Sequence, residues 1–153
     1  MNKKLLILCI FTAISSFSTV FANDNTNQKI GCGIYEIGKD GEKKLISNEL
    51  TFEAGKDGSF NGDGLLSFEA PEGKREFTVS LWISNENEAG MDGIRHAYVA
   101  TYTAKDPSSA SDSYFLVNIK QNKALFVVRN PLTYSVKGSG DDASVSMLRC
   151  LVK

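Results

Sequence analysis

The sequence predicts an all-β fold, a small antiparallel up-and-down barrel of about eight strands, with a two-sheet β-sandwich as the alternative. Three observations carry this. Apolar and polar residues alternate with period two in several segments. Glycine-rich turn signals separate those segments at fairly regular intervals. No stretch of the chain sustains the i, i+3, i+4 apolar stripe that an amphipathic helix needs.

The alternation is cleanest in Phe77–Ile83, where Phe77, Val79, Leu81 and Ile83 share one parity and Thr78, Ser80 and Trp82 the other. In an earlier segment Ile46, Leu50 and Phe52 share a parity that Asn48 interrupts. Arg95–Thr103 is rich in β-branched and aromatic residues, as a strand prefers. Tyr114–Ile119 and Ala124–Val128 follow, and the polar Lys120–Lys123 reads as a tight hairpin between them. Both segments are apolar at both parities, which predicts either a central position with two covered faces or one face that meets a partner subunit. The last strand is expected at about Val145–Val152, after the glycine-rich stretch Gly138–Asp142. Asn85–Gly93 and Lys105–Ser113 read as the longer loops.

Turns are marked by Gly38-Lys39-Asp40-Gly41, its repeat Gly55-Lys56-Asp57-Gly58, and Pro71-Glu72-Gly73-Lys74. Glycine supplies the positive φ such hairpins require. Leu50-Thr51-Phe52-Glu53-Ala54 and Leu66-Ser67-Phe68-Glu69-Ala70 echo each other sixteen residues apart, in keeping with a meander of similar hairpins.

The N-terminus reads as an export signal over residues 1–22, leaving 23–153 as a single β domain. Lys3 and Lys4 precede the apolar run Leu5–Phe11, Val20-Phe21-Ala22 offers a cleavage site, and Asn23-Asp24-Asn25 turns abruptly polar. Ser15, Ser16, Ser18 and Thr19 interrupt the apolar character that a membrane anchor would need. The expected location is periplasmic or secreted, with no membrane span after cleavage. Cleavage removes two of the 17 bases and none of the 18 acids, so a net charge of −1 becomes −3. Mild acidity argues against a nucleic-acid partner, which would want a basic stripe. An outer-membrane barrel fits poorly, because Glu36, Glu49, Glu53, Lys120 and Arg149 punctuate the strands that lipid would have to cover.

Two cysteines remain in the mature chain, Cys32 and Cys150, and an oxidising compartment predicts one disulfide between them. Such a bond needs the first and last strands to be neighbours, laterally or across the core; lateral neighbours would close a barrel.

Nothing in the sequence marks a catalytic site, a metal centre or a cofactor, and none is expected. His96 is the only histidine, and no nucleophile elbow, zinc motif or phosphate loop accompanies it. Asp57–Gly64 places oxygen-bearing side chains at alternating positions as a calcium loop does, but Phe68 stands where the closing glutamate belongs. Aromatic residues are more informative. Trp82 lies on the polar face of its strand, and Tyr98 and Tyr102 share a face with His96. Trp82, His96, Tyr98 and Tyr102 are therefore the candidate binding residues, as a recognition patch or the lining of a cavity, against the alternative of ordinary core. The expected function is an exported binding module, protein-binding or enzyme-inhibitor-like. A barrel for a small apolar ligand is the alternative and a hydrolytic enzyme the third choice. An oligomer is compatible with all three.

Overall fold

The computed structural model describes residues 27–121 and 124–153, so the export signal lies outside the described residues. The chain forms two antiparallel sheets that share one buried core. The first is built on β1 (Lys29–Ile37) and β10 (Ser144–Val152), flanked by β2 (Lys43–Leu45), β3 (Leu50–Glu53), β8 (Ala124–Val128) and β9 (Ser135–Lys137). The second has the order β4 (Phe60–Ala70), β5 (Gly73–Asn87), β6 (Ile94–Thr103) and β7 (Asp106–Asn118).

Cys32 and Cys150 occupy directly opposed positions of β1 and β10, with Cα atoms 4.1 Å apart, and form the expected disulfide. The first and last strands are thus lateral neighbours within one sheet. The two sheets remain distinct: among the described residues, the only pairing between them is a single bridge from Ser47 to Phe68.

The alternation read in the sequence fills the interior. Phe77, Val79, Leu81 and Ile83 of β5 are fully buried in one cluster with Ile30, Ile34 and Leu148 of the first sheet. Each such side chain contributes roughly 1.5–3 kcal/mol by leaving water. The repeated Gly-Lys-Asp-Gly motif folds the same way twice. Gly41 and Gly58 take φ near +80°, and Asp40 and Asp57 each accept the amide N–H two residues on. The first turn closes the β1–β2 hairpin, whereas the second carries the chain from one sheet to the other.

Asn48 interrupts the pattern because the strand beside β1 is broken there. The pairing shifts from Tyr35↔Leu45 to Cys32↔Leu50, which leaves extra residues between β2 and β3. The freed Asn48 amide donates to the Leu65 carbonyl and accepts from the Ser67 N–H, each at 2.9 Å, so it acts as a stub of strand along the edge of β4. In the same seam, Leu50 and Phe52 lean over Gly64 and Gly62 of β4, where no Cβ obstructs them.

Three expectations are corrected. Residues 106–113 are strand, not loop: an edge position paired only to β6 tolerates their Asp/Pro/Ser composition. β7 and β8 are not a hairpin. β8 pairs with β10, and the two strands meet through side chains, the Phe115 and Phe126 rings stacking with centroids 4.9 Å apart. Neither strand is central in its sheet; their apolar residues of the second parity, Tyr114, Leu116 and Val127, are exposed. The short β9, unforeseen in the sequence, pairs with β10 ahead of the Gly138–Asp142 stretch, which holds a 3-10 turn at Gly140–Asp142.

Candidate functional site

The outward face of the second sheet is organised in rows by its register. Asn61, Trp82, Tyr98 and Tyr114 stand opposite one another across β4, β5, β6 and β7. The next row holds Asp63, Ser80, Ala100 and Asp112, and the one after it Leu65, Thr78 and Tyr102. On the other side of the aromatic row His96 faces Leu116.

All four candidate residues lie on this one face. Trp82 and Tyr98 are direct cross-strand neighbours, as is Tyr114 on the far side of Tyr98 at a ring distance of 4.8 Å. Tyr102 and His96 flank the row from either side along β6. Trp82 retains 41% exposure, Tyr114 77%, Leu116 55% and Leu65 52%, so the row is open to solvent and not a second core. His96 is exposed and pairs through Nε2 with Glu88 at 2.5 Å, an ion pair when the imidazole carries its proton.

Sequence reading missed Tyr114, Leu116 and Leu65. Tyr114 and Leu116 sit inside a run apolar at both parities, where no alternation marks which residues face out. Their place beside Tyr98 and His96 depends on the β6–β7 register.

Polar groups border the rings. The Tyr98 hydroxyl lies 3.5 Å from Asp112 Oδ2, and the Ser80 hydroxyl donates to Asp63. Burial against its neighbours, and then the Asp112 carboxylate and Tyr114, hold the Tyr98 phenol above its ordinary pKa. Between the two carboxylates lie Ser80 and the buried Ala100, with the Trp82/Tyr98 row on one side and Tyr102 on the other.

The outer face of the first sheet is different in kind. Lys153 and Glu49 form an ion pair lying over Gly31, Leu45 covers Gly33, and Arg149 stacks on the Tyr35 ring at 5.3 Å. Its floor is built of glycine and then roofed by the chain's own side chains.

A cleft of about 630 Å³ opens at one end of the molecule between the second sheet and the Pro131–Leu132 segment, lined by Leu65, Lys74, Arg75 and Lys105. Its cations are largely engaged: Arg75 pairs with Glu72 and donates to the Pro131 and Tyr134 carbonyls, and Lys74 pairs with Glu76 at 3.4 Å.

The calcium-loop pattern is dispersed by the fold. Asp57 caps its own turn through the Ser59 amide and hydroxyl, which lower its pKa, while Asp63 projects from the face of β4 toward Ser80. Among the described residues no three His, Cys, Asp or Glu side chains converge as metal ligands, and no helix is long and apolar enough to cross a membrane. No protein-family model, curated protein or solved structure matches this chain.

Proposed function

We propose that this chain is an exported, non-catalytic binding module that recognises a protein partner through the outer face of its four-stranded sheet. One observation carries the reading: Trp82, Tyr98 and Tyr114 stand in register across three strands, Trp82 and Tyr114 exposed and Tyr98 half-buried between them, with the exposed Leu116 in the adjoining row. Rings of this kind each bury about 150–250 Å² when covered. With Leu116 they make a patch on the order of 400 Å², the size of the largest patch on a typical soluble monomer, which is often functional. Tryptophan and tyrosine are also the residue types that dominate binding energy at protein interfaces.

The cavity reading is less well supported, because the aromatics that would line a cavity face outward and the interior positions are filled by Phe60, Leu66, Phe77 and Leu81. A catalytic reading finds its only histidine exposed and paired with Glu88. We read the architecture as a sandwich and not a continuous barrel, on the single bridge that joins the sheets. Export, and with it a periplasmic or secreted location, is supported by the buried Cys32–Cys150 bond, which an oxidising compartment sustains.

The test is a capture experiment from the extracytoplasmic fraction with oxidised wild-type protein and a Trp82→Ala/Tyr114→Ala variant. The reading expects a stoichiometric partner retained by wild type and lost from the variant, with both proteins giving the same far-ultraviolet circular dichroism. A partner retained equally by both would place recognition elsewhere.

A further inference from the structure

We infer that the partner surface recognised by this face is cationic, with arginine or lysine side chains that meet Asp63 and Asp112 at its two edges. The inference rests on the reading of the outer face as a binding surface and adds the chemistry of what it binds.

The argument starts from charge. Asp63 and Asp112 end the row next to the aromatic residues, one on each outer strand of the sheet, and both are exposed. Among the described residues neither is joined to a lysine or arginine; the contacts they make are with the hydroxyls of Ser80 and Tyr98. Elsewhere some carboxylates are paired, Glu53 with Lys29, Asp92 with Lys120, Asp141 with Lys39, and Glu49 with Lys153. On this face the one lysine, Lys74, is held by Glu76. The aromatic row is therefore bordered by two carboxylates that no lysine or arginine among the described residues neutralises.

Shape agrees with charge. Trp82 and Tyr98 stand on one side of Ala100 and Tyr102 on the other. A planar guanidinium brought to Asp112 comes beside the Tyr98 and Tyr114 rings, where its attraction to the π-quadrupole adds to its hydrogen bonds with the carboxylate. The aliphatic stem of the same side chain covers the rings. A second copy of this chain is a poor occupant, because it would bring the same acidic rim against this one, and like charges juxtaposed across an interface disfavour it.

A phage-displayed library of random linear peptides, selected on the oxidised protein, tests this directly. Expected is enrichment of peptides carrying arginine or lysine beside apolar residues. Their affinity should fall at least about tenfold in Asp63→Asn/Asp112→Asn, fall again with added salt, and be lost in Trp82→Ala. The asparagines keep an acceptor for Ser80 and Tyr98, so the fold is not at issue. The charge-reversed Asp63→Lys/Asp112→Lys protein should instead select acidic peptides. Enriched peptides without basic bias, unaffected by Asp63→Asn/Asp112→Asn yet lost in Trp82→Ala, would overturn the cationic partner and leave the binding face standing. Peptides indifferent to Trp82→Ala would overturn the face itself. Failure to enrich any peptide, or a dimer in sedimentation equilibrium that Trp82→Ala dissociates, also overturns the cationic partner, the latter naming a second copy as the occupant.

Discussion

Reducing the Cys32–Cys150 bond should cost this domain about 5 kcal/mol of stability. The bond joins residues separated by 118 positions, so it ties almost the whole domain into one loop. For a loop of that length the chain-entropy relation gives about 16 cal/mol/K of lost denatured-state entropy, or about 5 kcal/mol at 25 °C. The folded side of the balance should change little. The two cysteines lie opposite each other within an unbroken ladder that runs from Ile30↔Val152 to Ile37↔Val145, and the sheet holds those strands together without the sulfurs. Small domains have only about 5–15 kcal/mol in total, so the reduced protein should be marginal. The assay is urea denaturation of the oxidised protein and of protein refolded and kept in reductant, followed by far-ultraviolet circular dichroism. With a slope of about 1–3 kcal/mol/M the midpoint should fall by about 2 M or more. Native-state hydrogen exchange on β1 and β10 should show the same protected amides in both forms, with lower protection after reduction. A loss below about 1 kcal/mol would refute the reasoning, since it would mean that the cross-link restrains nothing the unfolded chain otherwise explores.

Three further outcomes follow from particular contacts. Gly64→Ala places a Cβ 2.5 Å from Leu50 Cδ2 in the seam between the sheets; it should destabilise by about 1–3 kcal/mol in urea denaturation, and Leu50→Ala in the same chain should recover part of the loss. Asp57 has its folded-state pKa lowered by the Ser59 hydroxyl and amide, so its contribution is complete above the unfolded carboxyl pKa and disappears as pH falls through the folded value. The melting temperature of wild type should accordingly drop more steeply than that of Asp57→Asn across the acid range. Trp82, the only tryptophan and 41% exposed, should emit at long wavelength and be quenched strongly by acrylamide, and Trp82→Ala should shift stability by less than about 1 kcal/mol.

What the sequence made legible is what short-range periodicity encodes. Phe77, Val79, Leu81 and Ile83 announce their buried face because alternation along one strand is a local property. The Asp-Gly turns are local too, and two cysteines admit one pairing. The misreadings all concern which strand lies beside which. Asp106–Ser113 lacks β-propensity and becomes strand through its partner β6. Lys120–Lys123 looks like a hairpin turn, but β7 and β8 belong to different sheets and meet through the stacked Phe115 and Phe126 rings. Asn48 reads as a defect in a strand until its amide is seen bonded to the edge of β4. The binding face was half legible for the same reason. Trp82 and Tyr98 could each be assigned to an outward parity, whereas their alignment with Tyr114 needs a register set partly by the irregularity between Ile83 and Asn87.

The contrast between the two outer faces bears on whether the exposed row is incidental. Scattered apolar residues on a surface need no explanation. Here, however, the chain shows that it can cover a sheet: over β1 it lays Leu45, Lys153 and Glu49 on glycines, and over Tyr35 it lays Arg149. No comparable cover reaches Trp82, Tyr114 or Leu116. Nor do lysines, which sheet proteins use to deter association, stand in the aromatic row or the row beside it; the cross-strand neighbours there are rings, hydroxyls and the two carboxylates of Asp63 and Asp112, and Lys74 lies further along the face. Apolar area left open in register across three strands, with charge of one sign confined to its border, is the arrangement of an interface with a desolvated centre and a polar rim. A substitution that covers the row from within tests this against plain surface chance. Ser80→Arg places a guanidinium beside Asp63, its direct cross-strand neighbour, and next to Trp82 on the same face. It should raise stability or leave it unchanged while competing away the partner, whereas an incidental surface would show no effect on binding at all.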